Sequence, residues 1–191
     1  MRLSTALLAA LVLATLAGAI GFVRHRQKKS LEAMEHNEWL ASEALSLIAD
    51  VERAFKDQDA DENGIEDYWT GDVAGLLRFG DLYPSIEKAD AAPLHPVPRT
   101  AASYFGYWFL AVEGLEGDPR FFKQDTDGKS GRVHHRTRFA FCAYPSEYGR
   151  TGRYTYLRTE HDILMSTDNG GRPILQFSKE MEKYLGMMSP K

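Results

Sequence analysis

An uncharged run of 21 residues, at positions 3–23, constrains the folding of this chain more than any other feature of the sequence. A helix rises about 1.5 Å per residue, so a run of this length can cross the roughly 30 Å hydrocarbon layer of a bilayer. A basic segment with four Lys or Arg residues follows directly at positions 24–29. The sequence therefore predicts that residues 3–23 contact a membrane, either as an anchor or during export.

This run has two interpretations, an uncleaved membrane anchor and a cleaved secretory signal. Arg2 would supply the basic region of a signal peptide, and residues 17–19, Ala-Gly-Ala, a cleavage site. However, apolar residues resume at positions 20–23, and the run exceeds the roughly 7–15 apolar residues of an export signal. We therefore favour the anchor.

The charge is distributed unevenly between this N-terminal segment and the rest of the chain. The whole chain has 23 Lys and Arg residues against 27 Asp and Glu residues. Residues 1–29 contain five of the basic residues and none of the acidic ones, which leaves a net charge of −9 on residues 30–191. Nucleic-acid binding requires a basic surface, so no nucleic-acid partner is expected. The remaining 162 residues are enough for one soluble domain, at residues 30–191, behind an anchor segment at residues 1–29.

Residues 30–56 predict one long amphipathic helix that can continue directly from the membrane segment. Neither Gly nor Pro interrupts it, and its apolar residues recur at helical spacing. These residues are Leu40, Ala44, Leu47, Ile48, Val51 and Phe55. Such a stripe needs a covering surface, which is either the chain's own sheet or a neighbouring subunit.

The second half of the chain predicts β-strands at residues 103–112, 138–144, 153–158 and 162–166, followed by a short helix around residues 176–185. The single cysteine, Cys142, lies in the second of these strands and is expected to be buried. Hairpin spacing without alternating helices favours an antiparallel arrangement over βαβ units. The predicted fold class is α+β, with the long N-terminal helix packed on a small antiparallel sheet.

Residues 59–67 carry the strongest candidate site. Oxygen-bearing side chains at positions 1, 3, 5 and 9, with Gly64 at position 6, resemble a calcium-binding loop. The predicted Ca²⁺ ligands are Asp59, Asp61, Asn63, the backbone carbonyl of Ile65, and Asp67. Position 12 is Thr70 instead of the bidentate Glu of an EF-hand, so weak binding is expected. The alternative is a solvated acidic turn in which Gly64 caps the preceding helix.

Other groups of polar or aromatic residues have simpler interpretations. The acidic stretch at residues 125–131 predicts a turn between strands. Two adjacent histidines, His134 and His135, would point to opposite faces of a strand, and we expect them on the surface rather than on one metal ion. The aromatic residues at positions 104–109 favour core packing over a ligand-stacking surface. His161 and Asp162 lack a nucleophile in a recognisable motif, so no enzymatic activity is expected.

The order of these elements and several local segments resemble the type IV pilins and pseudopilins, and a family of bacterial exported pilin-like proteins. The segments are NEWLASEAL at residues 37–45, DADENGIEDYWTGDVAGL at residues 59–76, GYWF at residues 106–109 and FCAYPSEYG at residues 141–149. The likeness covers roughly residues 37–171. It implies an extracytoplasmic, membrane-associated protein and no particular activity.

The N-terminus departs from the prepilin pattern. A prepilin has a charged leader, then Gly-Phe, then an apolar helix with a Glu near its start. Here Gly21 and Phe22 follow the apolar run, and no such Glu is present. Processing by a prepilin peptidase is therefore not expected, and a pilin-shaped domain on a plain membrane anchor fits the sequence better.

The orientation in the membrane is contested. The basic residues at positions 24–29 would, by the positive-inside rule alone, place the soluble domain in the cytoplasm. The pilin resemblance and a weak calcium loop, which requires millimolar Ca²⁺ outside the cytoplasm, favour the periplasm or the cell surface. We expect a structural or interaction protein with envelope partners or self-association, in a secretion or pilus-related assembly. The alternative is a tethered module that binds a small ligand or glycan through its aromatic strand and its Pro-rich loop, which is predicted at residues 89–100.

Overall fold

A long helix dominates the architecture. The computed structural model describes residues 5–76, 78–80, 83–94, 101–181 and 183, with side chains from residue 21 onward. Helix α1, Thr5–Gln58, runs for 54 residues without a break. At about 1.5 Å per residue it is roughly 80 Å long. Its sequence contains no proline, and the expected continuity between the N-terminal segment and the amphipathic helix is confirmed.

The helix divides into a projecting half and a packed half. Residues 21–33 are exposed on all sides, and burial begins at Met34. Among the residues whose side chains are described, no helix is long and apolar enough to cross a membrane. The membrane segment predicted at residues 3–23 lies outside those residues, except for its last three.

Among the described residues before position 178, two short helices and eight strands follow α1. In chain order they are β1 (Tyr68–Trp69), α2 (Val73–Leu76), α3 (Pro84–Glu87), β2 (Tyr107–Ala111), β3 (Gly114–Leu115), β4 (His134–His135), β5 (Ala140–Pro145), β6 (Thr155–Thr159), β7 (Leu164–Thr167) and β8 (Gln176–Phe177). The main sheet has the order β2-β5-β6-β7, and all its pairs are antiparallel. The predicted α+β class and all four predicted strands are therefore confirmed.

The main sheet is covered on both faces. One face packs against α1 and contributes Phe109 and Phe141 to the larger hydrophobic cluster. The opposite face contributes Leu110, Cys142 and Leu157 to a second cluster. Neighbouring residues of a strand point to opposite faces, so a strand buried on both faces is apolar at every position. Cys142 is buried as expected.

The buried face of α1 is rotated slightly from the predicted stripe. Three of the predicted residues are buried, whereas Leu40, Leu47 and Val51 are only half-buried. The most deeply buried positions include Ala41 and Glu52. A small alanine and a charged glutamate contribute little to a hydrophobic pattern, so these two buried positions gave no signal in the sequence.

The short helix predicted around residues 176–185 is wrong over its first two residues. Gln176–Phe177 forms β8, which pairs in parallel with β3, instead of opening a helix. Phe177 is buried against Phe122, with ring centroids 5.5 Å apart. This tertiary contact favours an extended backbone over a helix. Residues 179–181 and 183 are helical as predicted, and residues 182, 184 and 185 of the predicted helix lie outside the described residues.

Candidate calcium site

The candidate loop begins where α1 ends. The N–H of Ala60 donates to the carbonyl of Phe55 at 3.1 Å, and the N–H of Asp59 to that of Lys56 at 3.3 Å. This is the Schellman pattern, in which the residue after the helix adopts a left-handed backbone and is usually Gly. Here that residue is Asp59, with φ of 46°. The interpretation of Gly64 as the helix cap is therefore wrong, because Asp59 holds that position.

The loop then folds back on itself around Gly64. Gly64 has φ of 81°, and its N–H donates to Asp59 Oδ2 at 3.0 Å. The N–H of Ile65 donates to Asn63 Oδ1 at 2.7 Å, and Asn63 Nδ2 donates to Asp61 Oδ2 at 2.9 Å. The sharp turn predicted at position 6 is present, and it brings the oxygen-bearing side chains of positions 1, 3 and 5 into one hydrogen-bonded loop.

Three carboxylates of this loop each keep one buried oxygen without a hydrogen-bond partner among the described residues. These oxygens are Oδ1 of Asp59, Asp61 and Asp67. Asp67 is wholly buried, and its other oxygen accepts a hydrogen bond from the Thr126 hydroxyl. An unpaired buried carboxylate oxygen is costly, and a cation is one of the few partners that can satisfy several of them together.

The electrostatics of Asp67 reflect this arrangement. Burial raises the pKa of Asp67 above its ordinary value, although the Thr126 hydrogen bond and the nearby His134 lower it. The negative charges of Asp61 and Asp127 raise it further. Without a cation, the folded state therefore disfavours the ionised form of Asp67, and a positive ion at the loop would reverse that preference.

His134 closes one side of the loop and contradicts the prediction of surface histidines. The His134 ring is fully buried between Phe55, with ring centroids 6.3 Å apart, and Trp69, at 5.5 Å. Its Nε2 lies 3.1 Å from Asp61 Oδ2. The short ribbon that pairs β1 with β4 places Trp69 opposite His134, and this pairing carried no sequence signal.

His135 is buried as well, but on the other side of the ribbon. It contacts Phe121, and its Nδ1 accepts the N–H groups of Thr137 and Arg138. The two histidines therefore point in opposite directions, as the strand geometry predicted. Their burial was not predicted because the aromatic residues that cover them come from distant parts of the chain.

The second acidic stretch packs against the first. Asp125 accepts the N–H of Gly128, and Asp127 accepts those of Lys129 and Ser130, so residues 125–130 form the expected turn. The Thr126 hydroxyl donates to Asp67 in the candidate loop. The proximity of these two acidic loops, about 60 residues apart in the chain, was missed by sequence reasoning and had no visible signal.

The predicted ligands lie in one loop but do not yet form a closed coordination shell. In the described part of the chain, no three His, Cys, Asp or Glu side chains are placed to hold a metal ion. Two of the predicted ligands, Asn63 and the carbonyl of Ile65, are not among those residue types. Calcium binding therefore requires the loop to contract around the ion.

A second polar cluster lies behind the loop, on the buried face of α1. Glu52 Oε2 accepts the N–H of Trp69 at 3.0 Å, and burial raises the pKa of Glu52 well above its ordinary value. Lys123 Nζ donates to the carbonyls of Thr70 and Gly71. Burial lowers the pKa of Lys123 to about 8. These contacts satisfy backbone groups at the junction of helix and sheet, which is a structural role.

The aromatic strand contributes to the core. Tyr107 and Phe109 are fully buried, and the Tyr107 hydroxyl donates to the carbonyl of Tyr154 at 3.0 Å. Trp108 is half-buried, and Phe105 is the exposed aromatic of this segment. The packing expected for these residues is present at Tyr107 and Phe109, so they are not available as a stacking surface.

No protein-family model matches the sequence, and no significant match to a curated protein or to a solved structure was found. Any functional assignment therefore depends on the geometry described above.

Proposed function

We propose that this chain is a membrane-anchored, pilin-like structural or interaction protein of the cell envelope, with its globular domain outside the cytoplasm and a calcium ion bound by residues 59–67. The observation that carries the proposal is the division of α1 into a projecting half and a packed half. Residues 21–33 are exposed on all sides, whereas from Met34 onward the helix has one buried face, which packs against the antiparallel sheet. We call helix α1 the stalk and the described residues after position 58 the head. Such a stalk would present the head for contacts with other proteins.

The charge distribution supports attachment to a membrane, although by the positive-inside rule alone the basic segment would place the head in the cytoplasm. The basic residues at positions 24–29 lie on the exposed part of α1, between the uncharged run and the head. A basic segment at this place would be attracted to anionic lipid headgroups. The apolar face of α1 is buried in the hydrophobic core that it shares with the head. The helix therefore does not require a second subunit to bury that face.

The calcium part of the proposal is supported by the three carboxylate oxygens of the loop that have no hydrogen-bond partner among the described residues. Oxygen donors alone favour a hard cation such as Ca²⁺ over zinc or copper. Since the ordinary position-12 ligand is replaced by Thr70, the affinity belongs to the range of extracellular calcium sites. The head would then meet the required concentration of Ca²⁺ only outside the cytoplasm.

The decisive experiment is a C-terminal fusion of the full-length chain to a reporter enzyme that is active only outside the cytoplasm. We expect activity from this fusion, and none from a second fusion to a reporter that is active only in the cytoplasm. Cross-linking and pull-down of the detergent-solubilised chain should then recover envelope proteins or further copies of the chain. A cytoplasmic reporter signal would overturn the proposal, and a strictly monomeric, partnerless chain would contradict its interaction role.

One observation favours the alternative, a tethered module for a small ligand or glycan. A cavity of about 210 Å³ lies beside the predicted Pro-rich loop and is lined by Ala92, Leu94, Glu113, Lys123 and Arg132 among others. Ligand pockets usually measure roughly 300–1,000 Å³, so this cavity is small for the purpose. A thermal-shift screen would support the alternative if a ligand raises the melting temperature of the wild type but not that of Arg132→Ala.

A further inference from the structure

We propose that the turn between β5 and β6, residues 146–154, docks on the headgroups of anionic lipids in the membrane that holds α1. The groove between this turn and the projecting half of α1 then takes one headgroup. This inference rests on the membrane anchor of the proposed function, and it adds a second membrane contact, on the head itself. It does not depend on which side of the membrane the head occupies.

The β5–β6 turn lies at the end of the head that is nearest to the uncharged run. Asn37 Nδ2 donates to the carbonyl of Thr151 at 3.1 Å, which places the turn beside the first packed residues of α1. The turn at the other end of the sheet, between β6 and β7, lies about 24 Å further along the helix, where Arg53 pairs with Asp162. The β5–β6 turn therefore faces the membrane segment, and the candidate calcium loop faces away from it.

The tip of this turn reaches down to the helix residues just outside the uncharged run. A groove of about 220 Å³ separates the turn from α1, and it is lined by Gly149, Gln27, Ser30, Leu31 and Met34. Measured along the helix from Val23, where the uncharged run ends, Gln27 lies at about 6 Å and Met34 at about 16 Å. The headgroup layer is roughly 5–8 Å thick on each side of a bilayer, and membrane helices tilt by about 20° on average. A tilt toward the turn brings its tip onto the headgroups.

The groove has the chemistry of a lipid headgroup site. Gln27 and Ser30 supply hydrogen-bond donors, and Leu31 supplies an apolar wall. Arg24 lies three residues before Gln27, so it shares the same face of the helix at the end nearest to the membrane. A phospholipid offers a phosphate acceptor above and apolar chains below, which matches this order of donors, cation and apolar wall.

The tip of the turn is rigid and presents an aromatic ring and a cation to solvent. The N–H groups of Arg150 and Thr151 both donate to the carbonyl of Glu147, at 3.1 and 2.9 Å. Tyr148 is 50% exposed, and its hydroxyl donates to Asp168 at 2.8 Å. The Arg150 side chain is exposed and pairs with Glu147 at 2.6 Å. Tyr is enriched at membrane interfaces, and an exposed ion pair is weak enough for a lipid phosphate to replace it.

The two ends of the head differ in charge. Residues 146–154 contain two Arg residues and one Glu, and the neighbouring residues 168–172 add one Asp and one Arg. At the opposite end, residues 57–67 contain six acidic residues and neither Lys nor Arg. An anionic lipid surface attracts the first end and repels the second. The charge of the head therefore favours the orientation that the attachment to α1 already imposes.

The test uses fluorophores at the two ends of the head. The native Cys142 is buried, so a thiol-reactive fluorophore labels a cysteine introduced at an exposed position. Ser146→Cys places it in the β5–β6 turn, and Thr137→Cys places it at the opposite end, next to the carbonyl of Arg136 that Lys56 contacts. The full-length protein is reconstituted in vesicles of phosphatidylcholine and phosphatidylglycerol that contain lipids with a nitroxide on the headgroup. We expect strong quenching at position 146 and little at position 137, and weaker quenching at position 146 in phosphatidylcholine alone.

A charge variant tests the turn itself. In the labelled Ser146→Cys protein, Arg150→Gln should lower the ratio of docked to undocked heads about fivefold, because it removes one cation from the surface. Arg136→Gln, which removes an exposed cation from the opposite end, is the matched control and should leave this ratio unchanged. In the wild type, amide hydrogen exchange in residues 146–152 should be slower in the anionic vesicles than in detergent, and this result does not depend on any variant folding.

Extraction of the vesicles at alkaline pH separates the possible failures. A chain that is extracted would overturn the anchor and this inference together. A chain that resists extraction, but is quenched equally at positions 146 and 137, would overturn the docking and leave the anchor intact. Protection of residues 146–152 that is equal in detergent and rises with protein concentration would assign the groove to a second copy of the chain and overturn the lipid contact.

Discussion

At the scale of single residues, the loop after α1 contains groups that weaken the cation-free fold. Asp59 adopts a left-handed backbone where Gly is usual, and Glu62 does so as well, with φ of 55°. Asp67 is buried, and one of its carboxylate oxygens has no hydrogen-bond partner among the described residues. Strained or buried polar groups persist where another requirement compensates for their cost, and binding of a cation is such a requirement.

Asp59→Gly tests this compensation directly. Gly adopts φ near 46° without strain, a gain of about 1 kcal/mol, but the variant loses the hydrogen bond from the Gly64 N–H, so without Ca²⁺ its stability should be close to that of the wild type. It also removes a predicted ligand, so Ca²⁺ should no longer raise its stability. Glu62→Gly is the matched control, since it relieves a similar strain but is not a predicted ligand. Urea unfolding with and without Ca²⁺ measures both effects, and an equal response of the two variants to Ca²⁺ would contradict the role of Asp59.

Glu52 predicts a dependence of stability on pH. Its pKa is raised in the folded state, so the folded protein prefers the protonated acid. The free energy of unfolding should therefore be highest below about pH 4.5, the ordinary pKa of Glu, and fall as the pH rises toward the folded-state pKa. Glu52→Gln removes this loss and keeps an acceptor for the N–H of Trp69.

At pH 8 the melting temperature of Glu52→Gln should exceed that of the wild type by about 3 °C, and the difference should shrink toward pH 4.5. Thermal unfolding monitored by circular dichroism at several pH values is the measurement. Glu43→Gln, on the exposed face of the same helix, should leave the pH profile of the wild type unchanged. If the melting temperatures of Glu52→Gln and the wild type depended on pH in the same way, a buried, neutral Glu52 would be excluded.

At the scale of elements, α1 combines two kinds of surface in one unbroken helix. Its buried face carries two glutamates 14 residues apart, and each accepts a backbone N–H from the head. Glu38 Oε1 accepts the backbone N–H of Arg153 at 2.7 Å, and Glu52 Oε2 accepts the backbone N–H of Trp69 at 3.0 Å. These bonds fix the height of the helix along the sheet, whereas apolar packing alone permits sliding. The projecting half has no such constraint from the described part of the head.

A pair of identical substitutions distinguishes the two halves of α1. Leu45 is fully buried against the sheet, and Leu31 is 48% exposed on the projecting half. Leu45→Ala should lower the free energy of unfolding by about 2–5 kcal/mol, because it leaves a cavity in the larger hydrophobic cluster. Leu31→Ala should change it by no more than about 0.5 kcal/mol. Denaturant unfolding of the full-length protein measures both, and a comparable loss for the two variants would show that the projecting half is packed.

At the scale of the whole molecule, the candidate loop lies at the junction of α1 with the head. It follows the last turn of the helix, and it contacts β4 through Asp61 and the 125–130 loop through Asp67. An ion at this place links elements that are otherwise held by separate contacts. Its binding should therefore stabilise the head as a unit and not only the loop.

Calcium should accordingly raise the melting temperature of the full-length protein. At a free Ca²⁺ concentration about 100 times the dissociation constant, the gain is about 2.7 kcal/mol. For a domain of this size that corresponds to about 5–10 °C. Mg²⁺ at the same concentration is the control and should have a smaller effect, because its strict octahedral geometry suits a flexible loop poorly. An unchanged melting temperature in millimolar Ca²⁺ would contradict a calcium-stabilised head.

The sequence alone determined those features that depend on local spacing. The period of the apolar residues predicted α1, although Ala41 and Glu52 on its buried face were hidden from that pattern. Alternation and turn residues predicted the four strands of the main sheet. The interval between oxygen-bearing residues predicted the sharp turn at Gly64, where φ is 81°.

Only the tertiary structure decided which distant residues meet. It buried His134 beneath Phe55 and Trp69, paired β3 with β8, and brought Thr126 onto Asp67 across 59 positions of the chain. Local patterns record the conformational preference of a segment, whereas contacts of this range follow from how the helix and the sheet pack as whole surfaces. The cost of each buried carboxylate oxygen was likewise invisible until packing removed its access to water.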